Sequence, residues 1–243
     1  MKPFTYALGP DRDVREDLVS AYRAAWAHIA SPGTWLGGSE RVALAAETRA
    51  AADCELCRER KAALSPFAVE GEHDRVGAAR PGLTDLVHRL TTDASRLSQR
   101  YVDGLIEQGI TAEEYVEAVG VAVITISIDR FHRALGLPLE PLPEPVAGEP
   151  SRARPEDVVE GEAWVPMQSV RAVAAMIGKP AAPNVLRALS LVPAEFQAWR
   201  AVSSAQYLDD DHMLRLGSAP HALSRSQIEL VAGRVSALNE CFY

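Results

Sequence analysis

Apolar residues recur at helical spacing through most of the chain. Val14, Leu18, Tyr22, Trp26 and Ile29 fall near one face of a helix over residues 13–29, which Ser31-Pro32-Gly33 ends. Ser39 to Lys61 follows as SERVALAAETRAAADCELCRERK, with Ser39 as N-cap and no Gly or Pro before Pro66. It reads as one long alanine-rich helix, in which Asp53 would cap a second start at any break. Residues 66–82 hold Gly71, Gly77, Pro81 and Gly82 and read as a loop carrying His73. A short helix over LTDLVHRL (83–90) and a further one to about Gln108, capped by Gly109, come next. Thr111-Ala-Glu-Glu114 is a capping box opening a helix that runs to Leu135 before Gly136. Its middle, VGVAVITISI, is β-branched. The capped start, the length and Arg130 and Arg133 at the end favour a buried helix, central to the core or to a subunit contact.

Residues 138–162 are rich in Pro and Glu and read as a semi-rigid linker between an N-terminal half, 1–137, and a C-terminal half, 163–243. Beyond it the pattern predicts helices near 166–177, 184–191 and 193–204, with a turn at Gly178-Lys179-Pro180. Asp209-Asp210-Asp211 reads as a solvated turn. Ser224-Arg-Ser-Gln227 is a second capping box, opening a last helix with an apolar face of Ile228, Val231, Val235 and Leu238. The fold class is all-α.

Composition agrees, with 47% hydrophobic but only 6% aromatic residues. A net charge of -8 without a basic cluster argues against a nucleic-acid partner. No apolar run reaches a membrane span, and the leader MKPFTYALGPDRD lacks a signal-peptide core. Three cysteines make no secreted disulfide framework, so a reducing cytoplasm is the expected compartment.

The chemistry concentrates at Cys54 and Cys57. Thiols three apart on a helix share a face, near enough for a disulfide or a metal, and a helix N-terminus lowers a thiol pKa. A zinc site would need two further ligands. His73 and Glu47 are available, but no second cysteine pair is near, and neither a metal nor another cofactor is assigned. Glu47, seven before Cys54, is either a proton relay to the thiol or a solvated helix residue. Lys61 is either an electrostatic aid to the thiolate or part of the solvated run Arg58-Glu59-Arg60-Lys61. His88 and His132 lie in helices, where a hydrogen-bonding structural role is expected.

Superposing Cys54 on Cys241 pairs SERVALAAETRAAADC with SRSQIELVAGRVSALNEC as two versions of a small-residue helix ending at a cysteine. The second resembles the active-site helix of the AhpD-like alkylhydroperoxidase and carboxymuconolactone decarboxylase superfamily, whose peroxidase branch carries E-x11-C-x2-C-x3-H. Glu229 and Cys241 fit its first two positions. LVHRLTTDASRL, GITAEEYVEAVGVAVITISIDRFHRALGLPLEPLP and NVLRALSLVPAEFQAW resemble related sequences. The resemblance implies an AhpD-type fold in two related halves, normally a homo-oligomer. It also implies a dithiol that reduces peroxide through a sulfenic acid and a disulfide, with another dithiol as electron donor. In the first half Val42 stands at the family's Glu position, which leaves Glu47 as a substitute. Lys61 stands at the His position, which leaves His73 to replace it. The second motif stops at Tyr243, and a motif cut short is expected, with a degenerate site as the alternative. Two other activities stay open: a cysteine-independent decarboxylase-like lyase, and a non-catalytic partner subunit.

Overall fold

The structure is a computed structural model and describes residues 4–6, 13–213, 215, 217, 222–239 and 241. Most of the leader, and Tyr243 at which the second motif stops, lie outside the described residues. The chain forms helices α1 (Glu16–Ala30), α2 (Gly38–Ala50), α3 (Glu55–Ala62), α4 (Pro81–Asp93), α5 (Gln99–Glu107) and α6 (Ala112–Ala134). A two-stranded antiparallel pair follows, β1 (Val158–Val159) with β2 (Met167–Gln168). Then come α7 (Val170–Ile177), α8 (Asn184–Arg187), α9 (Pro193–Gln206), α10 (Asp210–Met213) and α11 (Arg225–Leu238). The class is all-α, and among the described residues no helix is long and apolar enough to cross a membrane.

Helix α6 is the axis of the bundle. Thr111 and Glu114 form the reciprocal capping box, and Gly136 leaves the helix at φ +68. Val121, Ala122, Ile124 and Ile128 are buried all round it, against α2, α4 and α9. Helix α9 packs on both α1 and α6 and adds Val202 and Ala205 to the core that α1, α2, α4, α5 and α6 share, while Cys54, Leu56 and Cys57 form a small cluster of their own. A second apolar cluster joins Val102 and Val116 to Val173, Leu189, Leu191, Val192 and Phe196.

Three buried charges bridge these layers. Arg41 of α2 donates through Nη1 to Glu117 Oε1 of α6 at 2.5 Å and to Glu195 Oε1 of α9 at 2.7 Å. All three are fully buried. Glu117 also accepts from the backbone N–H of Thr34, Trp35 and Leu36, and His28 Nε2 lies 2.7 Å from Glu195 Oε1. The approach demands glycine at position 33, where a Cβ would sit 1.9 Å from Glu117 Oε1.

Residues 138–154 lie extended along the bundle. Val146 donates to Ala30 O, Ser151 to Gly33 O and Arg152 to Thr34 O, while Trp26 Nε1 donates to Pro141 O. Several elements differ from the sequence expectation. Helix α2 starts at Gly38 with Gly37 as N-cap, not at Ser39, and position 38 takes glycine because the carbonyls of Ala30 and Val146 come within 2.4 and 2.6 Å of where a Cβ would be. The expected single helix to Lys61 breaks at Ala51–Cys54, and Cys54 rather than Asp53 holds the second N-cap position. Residues 167–168 form a strand where helix was expected, and the expected turn at 209–211 runs into the short helix α10, with exposed Asp209 accepting the His212 N–H. On α11 only Ile228 is buried; Val231, Val235 and Leu238 are exposed.

Candidate functional site: a buried dithiol between two histidines

The site grows from the break between α2 and α3. Cys54 is the N-cap of α3 and Cys57 lies in its first turn, so the two thiols face the same side of a helix start. The exposed backbone N–H of that turn is satisfied by Asp74, whose Oδ2 accepts from Glu55 N at 3.1 Å. The loop that supplies Asp74 also supplies His73. Its Nδ1 lies 3.5 Å from Cys54 Sγ and 3.6 Å from Cys57 Sγ. From α4, His88 brings its Nδ1 to 3.3 Å from Cys57 Sγ. The two imidazoles stand 4.1 Å apart, centroid to centroid. Both thiols are free, and all four donor atoms lie within 4.8 Å of one another.

A carboxylate fixes the outer nitrogen of each ring. Glu47 Oε2, in the last turn of α2, is 3.1 Å from His88 Nε2. Its other oxygen accepts the backbone N–H of Val76 at 3.0 Å and of Gly77 at 2.7 Å, tying down the loop that carries His73. Asp85 Oδ1 is 2.9 Å from His73 Nε2 and accepts from Arg60 Nη1 at 2.7 Å. Its Oδ2 accepts from Arg89 Nε and from the Tyr101 hydroxyl. With Nε2–H directed at a carboxylate, each ring turns Nδ1 toward sulfur.

The electrostatics divide the two histidines. Burial pulls His73 down, but Asp85 and the two thiols outweigh it and push its pKa up to about 10. Burial lowers His88; Glu47 offsets part of this and the neighbouring His73 adds to it, so His88 stays below its usual value. Burial raises Cys54, yet the backbone N–H groups of Asp74 and Cys57, His73 and the Cys57 side chain bring it below the ordinary thiol range. Burial also raises Asp85, against which His73, Arg89 and Tyr101 hold it far below the carboxylate range. These directions describe a thiol shifted toward its thiolate beside an imidazolium on one side, and an imidazole shifted toward its neutral form on the other.

Two openings reach the cluster. Cys57 borders a surface cavity of about 360 Å³ with Ala51, Ala52, Arg58, Lys61, Ala62 and Thr92. A larger cavity of about 850 Å³ has His73, Asp85, Arg60, Arg89, Arg100 and Tyr101 in its wall.

The candidates read from the sequence separate clearly. Cys54, Cys57 and His73 meet. Glu47 joins them through His88 and is fully buried, so the solvated-helix alternative does not hold. Lys61 is half-exposed, pairs with Asp93 at 3.6 Å and lines the small cavity. Glu229 and Cys241 lie outside the cluster: Glu229 pairs with Arg225 on the surface and Cys241 is exposed. His88 and Asp85 belong to the site, although sequence reasoning gave His88 a structural role and passed over Asp85. A signal was present in LTDLVHRL, where Asp85 and His88 stand three apart among residues destined for burial. Comparison of the chain with family models, curated proteins and solved structures finds no match.

Proposed function

We propose that the protein is a thiol-dependent hydroperoxidase of the AhpD-like type, using Cys54 and Cys57 as a dithiol–disulfide couple. The observation that carries this is the buried line Cys57 Sγ–His88 Nδ1–Glu47, with the second thiol beside it. Neutral His88 takes the Cys57 proton, and Glu47 steadies the resulting imidazolium. The Cys57 thiolate, which faces the small cavity, attacks a peroxide oxygen. The O–O bond breaks, the alcohol leaves with the proton held by His88, and Cys57 becomes a sulfenic acid. The Cys54 thiolate then attacks the Cys57 sulfur. A disulfide forms and water leaves with a proton from His73. An external dithiol returns two electrons and two protons.

The test is a stoichiometric peroxide pulse followed by thiol blocking and intact-mass analysis. Loss of two hydrogens, mapped to a Cys54–Cys57 disulfide, and abolished turnover in Cys54→Ser and Cys57→Ser are the expected results. Full turnover in both variants overturns the reading.

A second reading has one observation in its favour. The wall of the larger cavity holds Arg100 along with His73 and with Arg60 and Arg89, both paired to Asp85, a basic setting for an anionic organic substrate. A cysteine-independent lyase would act there, and activity surviving in the doubly substituted Cys54→Ser/Cys57→Ser protein selects it.

A further inference from the structure

We infer that Cys54, Cys57, His73 and His88 form a tetrahedral Zn²⁺ site. Zinc binds thiolate at about 2.3 Å and imidazole at about 2.0–2.1 Å. At tetrahedral angles those lengths place each sulfur about 3.6 Å from each nitrogen. The three closest S···N separations here are 3.3, 3.5 and 3.6 Å. Two cysteines from one helix start and two histidines from other segments give the spacing C-x2-C-x15-H-x14-H.

The surroundings match a metal centre as closely as the donors do. Each histidine offers Nδ1 inward, and each Nε2 is held by a carboxylate, Glu47 for His88 and Asp85 for His73. That outer shell fixes the tautomer and makes each ring a better ligand. Two thiolates balance the ion's charge in a buried position, and two soft sulfurs with two imidazoles select zinc over hard cations. Four protein donors leave no open position, so this is a closed, structural type of site. It fastens the loop bearing His73 and Asp74 to α3 and α4. The site uses the same thiols and imidazoles as the peroxidase reading, so a zinc-loaded chain cannot run the disulfide cycle; the two are distinguished because metal binding is measured without turnover and turnover on metal-stripped protein.

The experiment uses the full chain purified under reducing conditions without chelator. One zinc per chain is expected by elemental analysis. Metal-stripped protein titrated with Co²⁺ is expected to saturate at one equivalent, with the intense d–d absorption of tetrahedral cobalt and a thiolate-to-cobalt charge-transfer band. Zn²⁺ then bleaches both. Loading with Zn²⁺ slows alkylation of Cys54 and Cys57 at least tenfold and leaves exposed Cys241 unchanged. His73→Ala lowers Zn²⁺ affinity about 100-fold or more, whereas His73→Cys keeps tetrahedral cobalt and strengthens the charge-transfer band. Should His73→Ala fail to fold, the protection map of the unaltered protein still decides. Absence of the tetrahedral thiolate spectrum, or alkylation of Cys54 and Cys57 at the same rate with and without Zn²⁺, overturns the site. Peroxide turnover of the metal-stripped protein is scored separately, so either proposal can fail while the other stands.

Discussion

Replacing Arg41 with Met removes the cation that lies between Glu117 and Glu195 and changes side-chain volume little. The carboxylates lose contacts of 2.5 and 2.7 Å, and the His28 carbonyl loses the 3.2 Å bond from Nη2. Glu117 keeps three backbone N–H donors and Glu195 keeps His28, so neither anion is left bare. Breaking a buried pair from one side typically costs about 3–5 kcal/mol. The middle of that range, about 4 kcal/mol, is a large share of the stability of an ordinary domain. With an m-value of about 3 kcal/mol/M, the urea midpoint falls by about 1.3 M. The deficit also depends on pH. Burial already raises Glu117, against the pull of Arg41. Without that pull it takes a proton more readily, and the deficit narrows as pH falls. Combining Arg41→Met with Glu117→Gln and Glu195→Met removes the orphaned charges and is expected to regain at least half of the loss. A single variant within 1 kcal/mol of the parent, or a triple variant no more stable than the single one, refutes the reasoning.

Three further outcomes are expected. Glu47→Gln keeps an acceptor for the Val76 and Gly77 N–H groups but no longer stabilises a protonated His88, so peroxide turnover drops about 100-fold in steady-state assays. Burial would raise Glu114, but Arg80 and the Thr111 cap hold it below its ordinary value. Its charged form therefore contributes above the unfolded carboxylate pKa, and the contribution is lost as pH falls through the lower folded value. Glu114→Gln should cost about 1 kcal/mol in urea unfolding at neutral pH and nothing once the native carboxyl is protonated. A fragment of residues 1–137 loses Val202 and Ala205 from its core and Glu195 from Arg41. It should bind hydrophobic dyes and lack near-ultraviolet dichroism, whereas cooperative unfolding of a native-like fragment would show that α9 is dispensable.

Local chemistry made much of the helical frame legible. Thr111 with Glu114, and Ser224 with Gln227, announced α6 and α11, and glycines at 136 and 178 marked ends that need positive φ. The break before α3 left only a faint local mark, Asp53 as a candidate cap, because the alanines at 50–52 favour continuing the helix. It is imposed by distant partners: Asp74 satisfies the new helix start, and two histidines meet the buried thiols. Sequence reading passed over Arg41 and Glu117, because nothing nearby in sequence shows that each meets its opposite far along the chain. His88 was hidden for the same reason. Its partners, Cys57 and Glu47, come from other helices, and only the packing of α4 against α2 and α3 makes it a site residue.

The cluster around the dithiol draws on residues between Glu47 and His88, whereas the buried ionic centre needs His28, Arg41, Glu117 and Glu195. The two therefore have different contact orders. Short closures bring the thiols and imidazoles together at a small entropic cost, while the ionic centre waits for a closure of more than a hundred residues. On the ribosome the chain delivers both thiols, both imidazoles and their two carboxylates well before α9 is made. Its thiols can be gathered and shielded while the scaffold around Arg41 is still short of its second carboxylate.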